Sequence, residues 1–357
     1  MSLNGSTARG RRAWLSSRSG AFKTARLLLS LAVTMLGLLM ITFVIGRVMP
    51  IDPVLSVVGE RASNEVYEAT RKAMGLDQPI IIQFFNYIRE VLTGNFGKSL
   101  LTSRPVIEDI ARVFPATLEL ATVATILGVF FGVPAGVIAA VNQGRWPDQI
   151  VRLIGLFGYS MPIFWLGLMG LLIFYGKLDW VAGPGRLDIF FEGIVPQVTG
   201  VILIDSLLAG EPEIFWNALS HIILPASVLG YYSLAYISRM TRSFMLEQLA
   251  QEYMTTARVK GLSELAVIWR HALGNVMVPL VTVIALSYAN LLEGSVLTEI
   301  VFAWPGIGFY ITNALLAADM NAVLGGTVVV GLVFVGLNLL SDLLYRVFDP
   351  RARSGEE

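Results

Sequence analysis

Apolar residues gather along the chain into six uncharged runs of near-membrane length. They cover roughly Leu27–Gly46, Leu120–Val141, Leu153–Tyr175, Ile222–Ser238, Asn275–Leu292 and Asn321–Ser341. A hydrocarbon core of about 30 Å takes about 20 helical residues to cross, so the pattern predicts an all-α membrane protein with six transmembrane helices. The runs are apolar on every face rather than on one, which makes lipid their solvent. A seventh stretch, "GIVPQVTGVILIDSLLAG" (Gly193–Gly210), is less apolar and holds Pro196 and Asp205. It reads as a helix packed at the membrane surface.

The polar segments between the runs alternate in charge. The first 26 residues hold six Arg or Lys and no acid, and Arg239–His271 holds five bases against three acids. The segment after the third run has six acids against Lys177 and Arg186, and the loop with Glu293, Glu299 and Asp319 has no base. Basic loops stay cytoplasmic, so both termini and the 239–273 region are expected in the cytoplasm, with 50–115 outside. Within that outer segment "NEVYEATRKAMG" reads as a short helix with Asn64 as its cap and Gly75 as its stop. The first run is too long, and lacks the flanking cleavage pattern, for a secretory signal.

Composition narrows the chemistry. Of 357 residues 55% are hydrophobic and 15% charged, with zero formal net charge, no cysteine and only His221 and His271. A nucleic-acid partner, thiolate chemistry and a clustered imidazole metal site are therefore not expected. "GNFGKS" (Gly94–Ser99) resembles a phosphate-binding loop only superficially, because Leu92 stands where the first glycine belongs. No cofactor is expected on this chain.

One polar stretch stands out, "EYMTTARVKGLSELAVIWRHAL" (Glu252–Leu273). Small residues Thr255, Thr256 and Ala257 sit in a helical run, Gly261 is suited to a left-handed stop, and Ser263 to capping a second helix. Helix, turn, helix is the expectation, with Arg258 and Lys260 available to acidic partners. A solvated loop touching anionic lipid would explain the charge but not the architecture.

"TTARVKG" (Thr255–Gly261) resembles the EAA motif of ABC-importer permeases. The longer stretch is similar to the peptide/nickel permease family, as are "GLDQP" (Gly75–Pro79), "RPVIEDIARVFPATLEL" (Arg104–Leu120), "HIILPASVLG" (His221–Gly230), "EIVFAWPGIG" (Glu299–Gly308) and "DPR" (Asp349–Arg351). The long outer segment with "GLDQP" resembles the B-type half of such importers. The chain departs from the general motif at Thr255, where a glutamate is usual, and at Gly274, so no carboxylate at 255 is credited with a role.

The resemblance implies a type I ABC importer permease fold. It divides the chain into a cytoplasmic tail (1–26), a permease domain (27–349) containing a periplasmic segment (50–115) and a cytoplasmic coupling region (239–273), and a second tail (350–357). It implies a B-type subunit of the bacterial inner membrane, paired with a C-type permease, two ATP-binding subunits carrying ATP and Mg, and a periplasmic substrate-binding protein. Glu252, Tyr253, Thr255, Thr256, Ala257, Arg258, Lys260, Gly261, Leu262 and Ser263 would couple the chain to the ATPases. Transport would proceed by alternating access, importing peptides or similar small solutes.

Tyr159, Ser160, Phe164, Tyr288, Asn290 and Glu293 are the candidates for the translocation pathway. "YSMPIFWLG" (Tyr159–Gly167) contains a proline bend beside aromatics, readable as a gate or as a packed kink. Gly128, Gly132 and Gly136 recur every four residues and predict close packing against a neighbouring span or subunit. An ion-driven secondary transporter would need a convincing buried acid, and an intramembrane enzyme a nucleophile–base pair. Neither is legible in these spans.

Overall fold

The computed structural model describes residues 29–46, 53–59 and 61–348, and the expected tails 1–26 and 350–357 lie outside them. Among the described residues helices are the only extended regular structure, with one isolated bridge between Lys98 and Pro105. Among the described residues five helices are long and apolar enough to span a membrane, and a bent pair makes up to six.

The contacts divide into two units. The first holds α1 (Leu29–Gly46), α2 (Pro53–Val58), α3 (Asn64–Ala73), α4 (Ile80–Leu92) and the 327–335 stretch of the last helix. Phe43 on α1 meets Phe84 edge-on at 5.2 Å, and the Thr42 and Tyr87 hydroxyls lie 2.9 Å apart. Helix α3 is capped by Ser63, whose Oγ accepts from the Val66 N–H, one residue before the expected Asn64. Gly75, at φ +64°, follows the end of α3 as its sequence position suggested.

The second unit is organised around α5 (Val106–Val141) and α9 (Pro212–Leu249), which pack along most of their length. At about 1.5 Å per residue both exceed 50 Å, longer than the hydrocarbon core, so each projects beyond it or tilts. Their approach depends on the glycine stripe. A Cβ on Gly136 would lie 2.6 Å from the Ser238 carbonyl oxygen and 2.6 Å from Thr241 Cβ, and one on Gly132 3.2 Å from the Leu234 oxygen. The stripe's partner is thus the chain's own α9.

The third apolar run differs from a continuous span. It is divided into α6 (Trp146–Ser160) and α7 (Ile163–Gly170), the latter extended by a π-helical turn Leu171–Tyr175, with 100° between the two halves. Pro162 clashes with a helical conformation at the residue before it, and Met161 is accordingly extended at ψ 130°. The proline breaks the span rather than bending it.

Further along, the surface stretch 193–210 is helical only over α8 (Ile202–Ala209). Next come α10 (Glu252–Val259), α11 (Glu264–Ala266), a π-helical turn Val267–Ala272 and α12 (Leu273–Gly294). The last three form one apolar span of 31 residues, Glu264–Gly294. The unit continues with α13 (Val296–Val301) and α14 (Ile307–Leu316), and α15 (Met320–Phe348) ends the described chain.

Two apolar clusters lie along the α5–α9 seam. One gathers Leu120, Ala124, Ile222, Leu229 and Trp304, the other Val137, Ile237, Met245, Met254, Val267 and Val276. Replacing Gly136 with valine should overpack the seam and destabilise the protein by about 1–3 kcal/mol or more. Gly155→Ala, whose Cβ would find only the Ala235 oxygen at 3.9 Å, should be tolerated. Comparable thermal unfolding of the two variants in detergent would contradict this packing account.

Candidate functional site

At the end of α9 the chain leaves the bundle, turns through Ala250 and Gln251, and starts α10. The eight residues of α10 have two buried members, Met254 and Ala257, three apart and therefore on one face. They insert into the cluster formed by Val137, Ile237, Met245, Val267 and Val276. The Tyr253 hydroxyl adds a polar tie, donating to Gln248 at 2.8 Å and accepting from Asn275 at 2.9 Å. These contacts join α10 both to α9, which precedes it, and to the span that follows.

Lys260 closes α10 and Gly261 turns the chain at φ +80°, a left-handed conformation that costs glycine nothing. Ser263 Oγ then accepts the Ala266 N–H and caps the next helix. Arg258 bridges the turn to Glu264 at 2.9 Å, with both side chains largely exposed, so this pair adds little stability. The helix–turn–helix read from the sequence is present. Of its ten candidate residues, Ala257 is buried and the other nine are exposed. Val259 and Leu265, 83% and 71% exposed, add apolar area to the same surface.

An ion pair with a buried carboxylate lies further back along α9. Arg242 on α9 donates through Nε and a terminal nitrogen to the two Asp148 oxygens, at 2.6 and 2.8 Å, and the Gly144 N–H donates to the same carboxylate. The bidentate geometry is the strong form of an arginine–carboxylate contact. It fastens the start of α6 to α9.

The six pathway candidates separate into two groups. Tyr159 lies in the last turn of α6 beside the break, Ser160 ends that helix and donates to the Leu156 carbonyl, and Phe164 stands across the break on α7. Tyr288 on α12 lies 3.2 Å from the Thr122 hydroxyl of α5, while Asn290 and Glu293 are exposed further along α12. No hydrogen bond or ring contact among the described residues joins the groups. Around Tyr159 the structure adds residues that sequence reasoning passed over. Tyr232 meets its ring edge-on at 5.2 Å, and Arg239 lies 4.9 Å above it and 5.9 Å from the Tyr236 ring. The spacing of 232, 236 and 239 on one helical face was the available signal.

At the other end of α5 two buried glutamates organise the connecting loops. Glu119 accepts from Arg186 Nε at 2.8 Å and from the Leu203 N–H at 2.9 Å, while Arg186 also donates to the Gly200 carbonyl. Glu299 accepts from Thr117, Ser295 and the Phe309 N–H, and burial pushes its carboxyl above the ordinary range against the pull of those donors. Asp205 goes the other way. Burial raises it, but the N–H and hydroxyl of Thr199 and the Gly200 N–H outweigh that and hold it below the ordinary aspartate value.

Comparison with known proteins then bears on the reading. Residues 132–354 match the family described as binding-protein-dependent transport system inner membrane component, and 22–121 match its N-terminal companion. The chain is 44% identical over 325 residues to the "Probable D,D-dipeptide transport system permease protein DdpB" of Escherichia coli, covering 91% of this chain and 95% of that one. It is 42% identical over 330 residues to the di/tripeptide transport system permease protein DppB of Pseudomonas aeruginosa, covering 92% and 98%. It is also 44% identical over 324 residues to the dipeptide transport system permease protein DppB of E. coli, covering 90% and 95%. Among solved structures the MetNI methionine ABC transporter aligns at TM-score 0.46 and 17% identity, over 66% of this chain and 93% of that one, a likeness too distant to carry weight.

Met254, fully buried, is the anchor of α10. Met254→Ala should loosen that anchor by about 2–5 kcal/mol. Amide hydrogen exchange should show faster exchange across 252–263 with the α5–α9 seam unchanged; uniform protection throughout would show that α10 is held by something else.

Proposed function

The chain belongs to the binding-protein-dependent transport system inner membrane component family, and from that premise we propose that it is the B-type permease half of an ATP-driven importer of short peptides. As a family member it is a multi-pass permease of the bacterial inner membrane, not an enzyme by itself. The finer reading is that it pairs with a C-type permease, two ATP-binding subunits that carry ATP and Mg, and a periplasmic substrate-binding protein. The peptide assignment is supported by the dipeptide and tripeptide permeases that match nine-tenths of the chain.

The observation that carries the coupling assignment is the two-sided character of α10. Met254 and Ala257 lock one face into the bundle, while Thr255, Thr256 and Val259, followed by Lys260 and Leu262 in the turn, are exposed. A rigid element anchored to two spans and open on its far side can pass displacement from an external motor into those spans. Docking of an ATPase groove on this face would therefore move α9 and α12 together. Alternating access then needs no chemistry within the membrane. Glu119, the buried acid an ion-driven transporter would want, is occupied by Arg186.

The orientation expected from charge belongs to the same proposal, with 252–263 facing the cytoplasm and 50–115 the periplasm.

Two experiments test the reading. Gly261 has open space where a Cβ would go, so a substitution there is opposed by backbone strain alone. Gly261→Val should add about 1–3 kcal/mol of strain at the turn, leave membrane insertion and subunit assembly intact, and lower solute uptake per ATP hydrolysed. Uptake per ATP equal to that of the unaltered complex would remove the coupling assignment. In a second experiment, cysteine replacing Ser263 should react with an impermeant thiol reagent only from the cytoplasmic side, and cysteine replacing Asn95 only from outside. The opposite labelling pattern would reverse the topology.

A further inference from the structure

Arg239 is a cation in a long apolar helix and, among the described residues, has no carboxylate partner. Arg242, three residues on, has a buried one in Asp148. Arg239 directly follows the fourth apolar run, Ile222–Ser238, and opens the 239–273 region expected on the cytoplasmic side, so it stands where the span meets water. Arg239 is exposed, and its guanidinium lies over the faces of Tyr159 and Tyr236, with Tyr232 packed edge-on against Tyr159. Residues 232, 236, 239 and 243 follow i, i+4, i+7, i+11 spacing, so they form one polar and aromatic stripe along α9.

Two features aim this cluster at a solute. First, stacking uses the flat face of a guanidinium, whereas a carboxylate is bound in its plane by the N–H edge. Tyrosines on the face therefore fix the group's attitude and leave the fork open. Second, Tyr159 lies in the last turn of α6, at the 100° break in the third apolar run. It stands eleven positions beyond Asp148, about 16 Å along the helix, so the Arg239 guanidinium is held toward the break, away from the Asp148 level. Discontinuous spans are where transporters build their solute sites, since the broken backbone must line a cavity.

We propose that Arg239, framed by Tyr159, Tyr232 and Tyr236, is a subsite on the translocation path that binds the carboxylate of the passing solute. Resting on the peptide reading above, that carboxylate is the C-terminal group of a short peptide, and the tyrosine faces accommodate its amide plane and side chains. Arg239 positions the solute on its way through. Because the site lies on the permease, it acts after the binding protein has made its own selection.

The test measures product inhibition, which bypasses the binding protein. The whole complex is reconstituted in vesicles with ATP enclosed, so that only transporters with the ATPase face inward operate. The lumen is loaded with unlabelled alanyl-alanine or its C-terminal amide, and initial uptake of labelled alanyl-alanine is followed. The free acid should inhibit at about tenfold lower concentration than the amide, the difference expected for one charge-assisted contact. Arg239→Gln should make acid and amide equivalent while ATP hydrolysis and assembly persist, and Arg239→Lys should restore part of the preference. An acid preference that survives Arg239→Gln would overturn the proposal. So would an effect of Arg239→Gln that disappears when anionic phosphatidylglycerol is left out of the vesicles, because the arginine would then be reading lipid phosphate. If the unaltered complex imports no dipeptide, the peptide reading itself falls, and this inference with it; dipeptide import with an unaltered acid preference in the variant sinks the inference alone.

Discussion

The close approach of α5 and α9 is the constraint on which the second unit depends. Gly132 and Gly136 let the backbones come so near that Leu234 and Ser238 carbonyls occupy the space side chains would fill. In lipid there is no hydrophobic gain from bringing two apolar helices together, so association relies on tight contact and on hydrogen bonds between helices. The seam supplies the first, and the Ser233–Ser287 hydroxyl pair at 2.9 Å supplies the second by joining α9 to α12. Once α5 and α9 are fixed, both apolar clusters have walls to form against.

The helix–turn–helix inherits its stiffness from that seam. Met254 and Ala257 bury among residues of α5 and α9 that the seam holds in place, and Val267 and Val276 bring the next span into the same cluster. Asp148 and Arg242 fasten α6 to the same end of α9. Contacts thus connect α10 and α6 to the same end of α9, and α10 to α12 as well. The turn itself stays compact because Gly261 reverses the chain in one residue and Ser263 starts the next helix immediately.

The opposite end of α5 follows a different logic, in which buried polar groups replace apolar contact. Glu299 is enclosed by Thr117, Ser295 and the Phe309 N–H, and Gly306 and Gly308 leave it room; a Cβ on Gly308 would sit 2.9 Å from its carboxylate. The Trp304 indole donates to the Ala116 carbonyl at 2.8 Å, one residue after Pro115 within α5. Within "EIVFAWPGIG", Glu299 and Trp304 thus tie the segment to α5, and Gly306 and Gly308 make the room for it. Glu119 and Arg186 do the same for the long connection after α7.

Local chemistry decided much of this before any folding. Run length and composition determined the helices and the lipid solvent, and Gly261 and Ser263 determined the turn, because each is a property of a few consecutive residues. The four-residue glycine period declared a close contact, yet only the tertiary structure decided that α9 was the partner. Pro162 announced an interruption, but whether the chain would kink or break depended on what the two halves pack against. Arg239 was one charge among five in a basic stretch, and Met254 one apolar residue in a polar one. Their places over Tyr159 and beneath α10 arise from residues as much as 117 positions apart, and periodicity carries no information about which distant faces will meet.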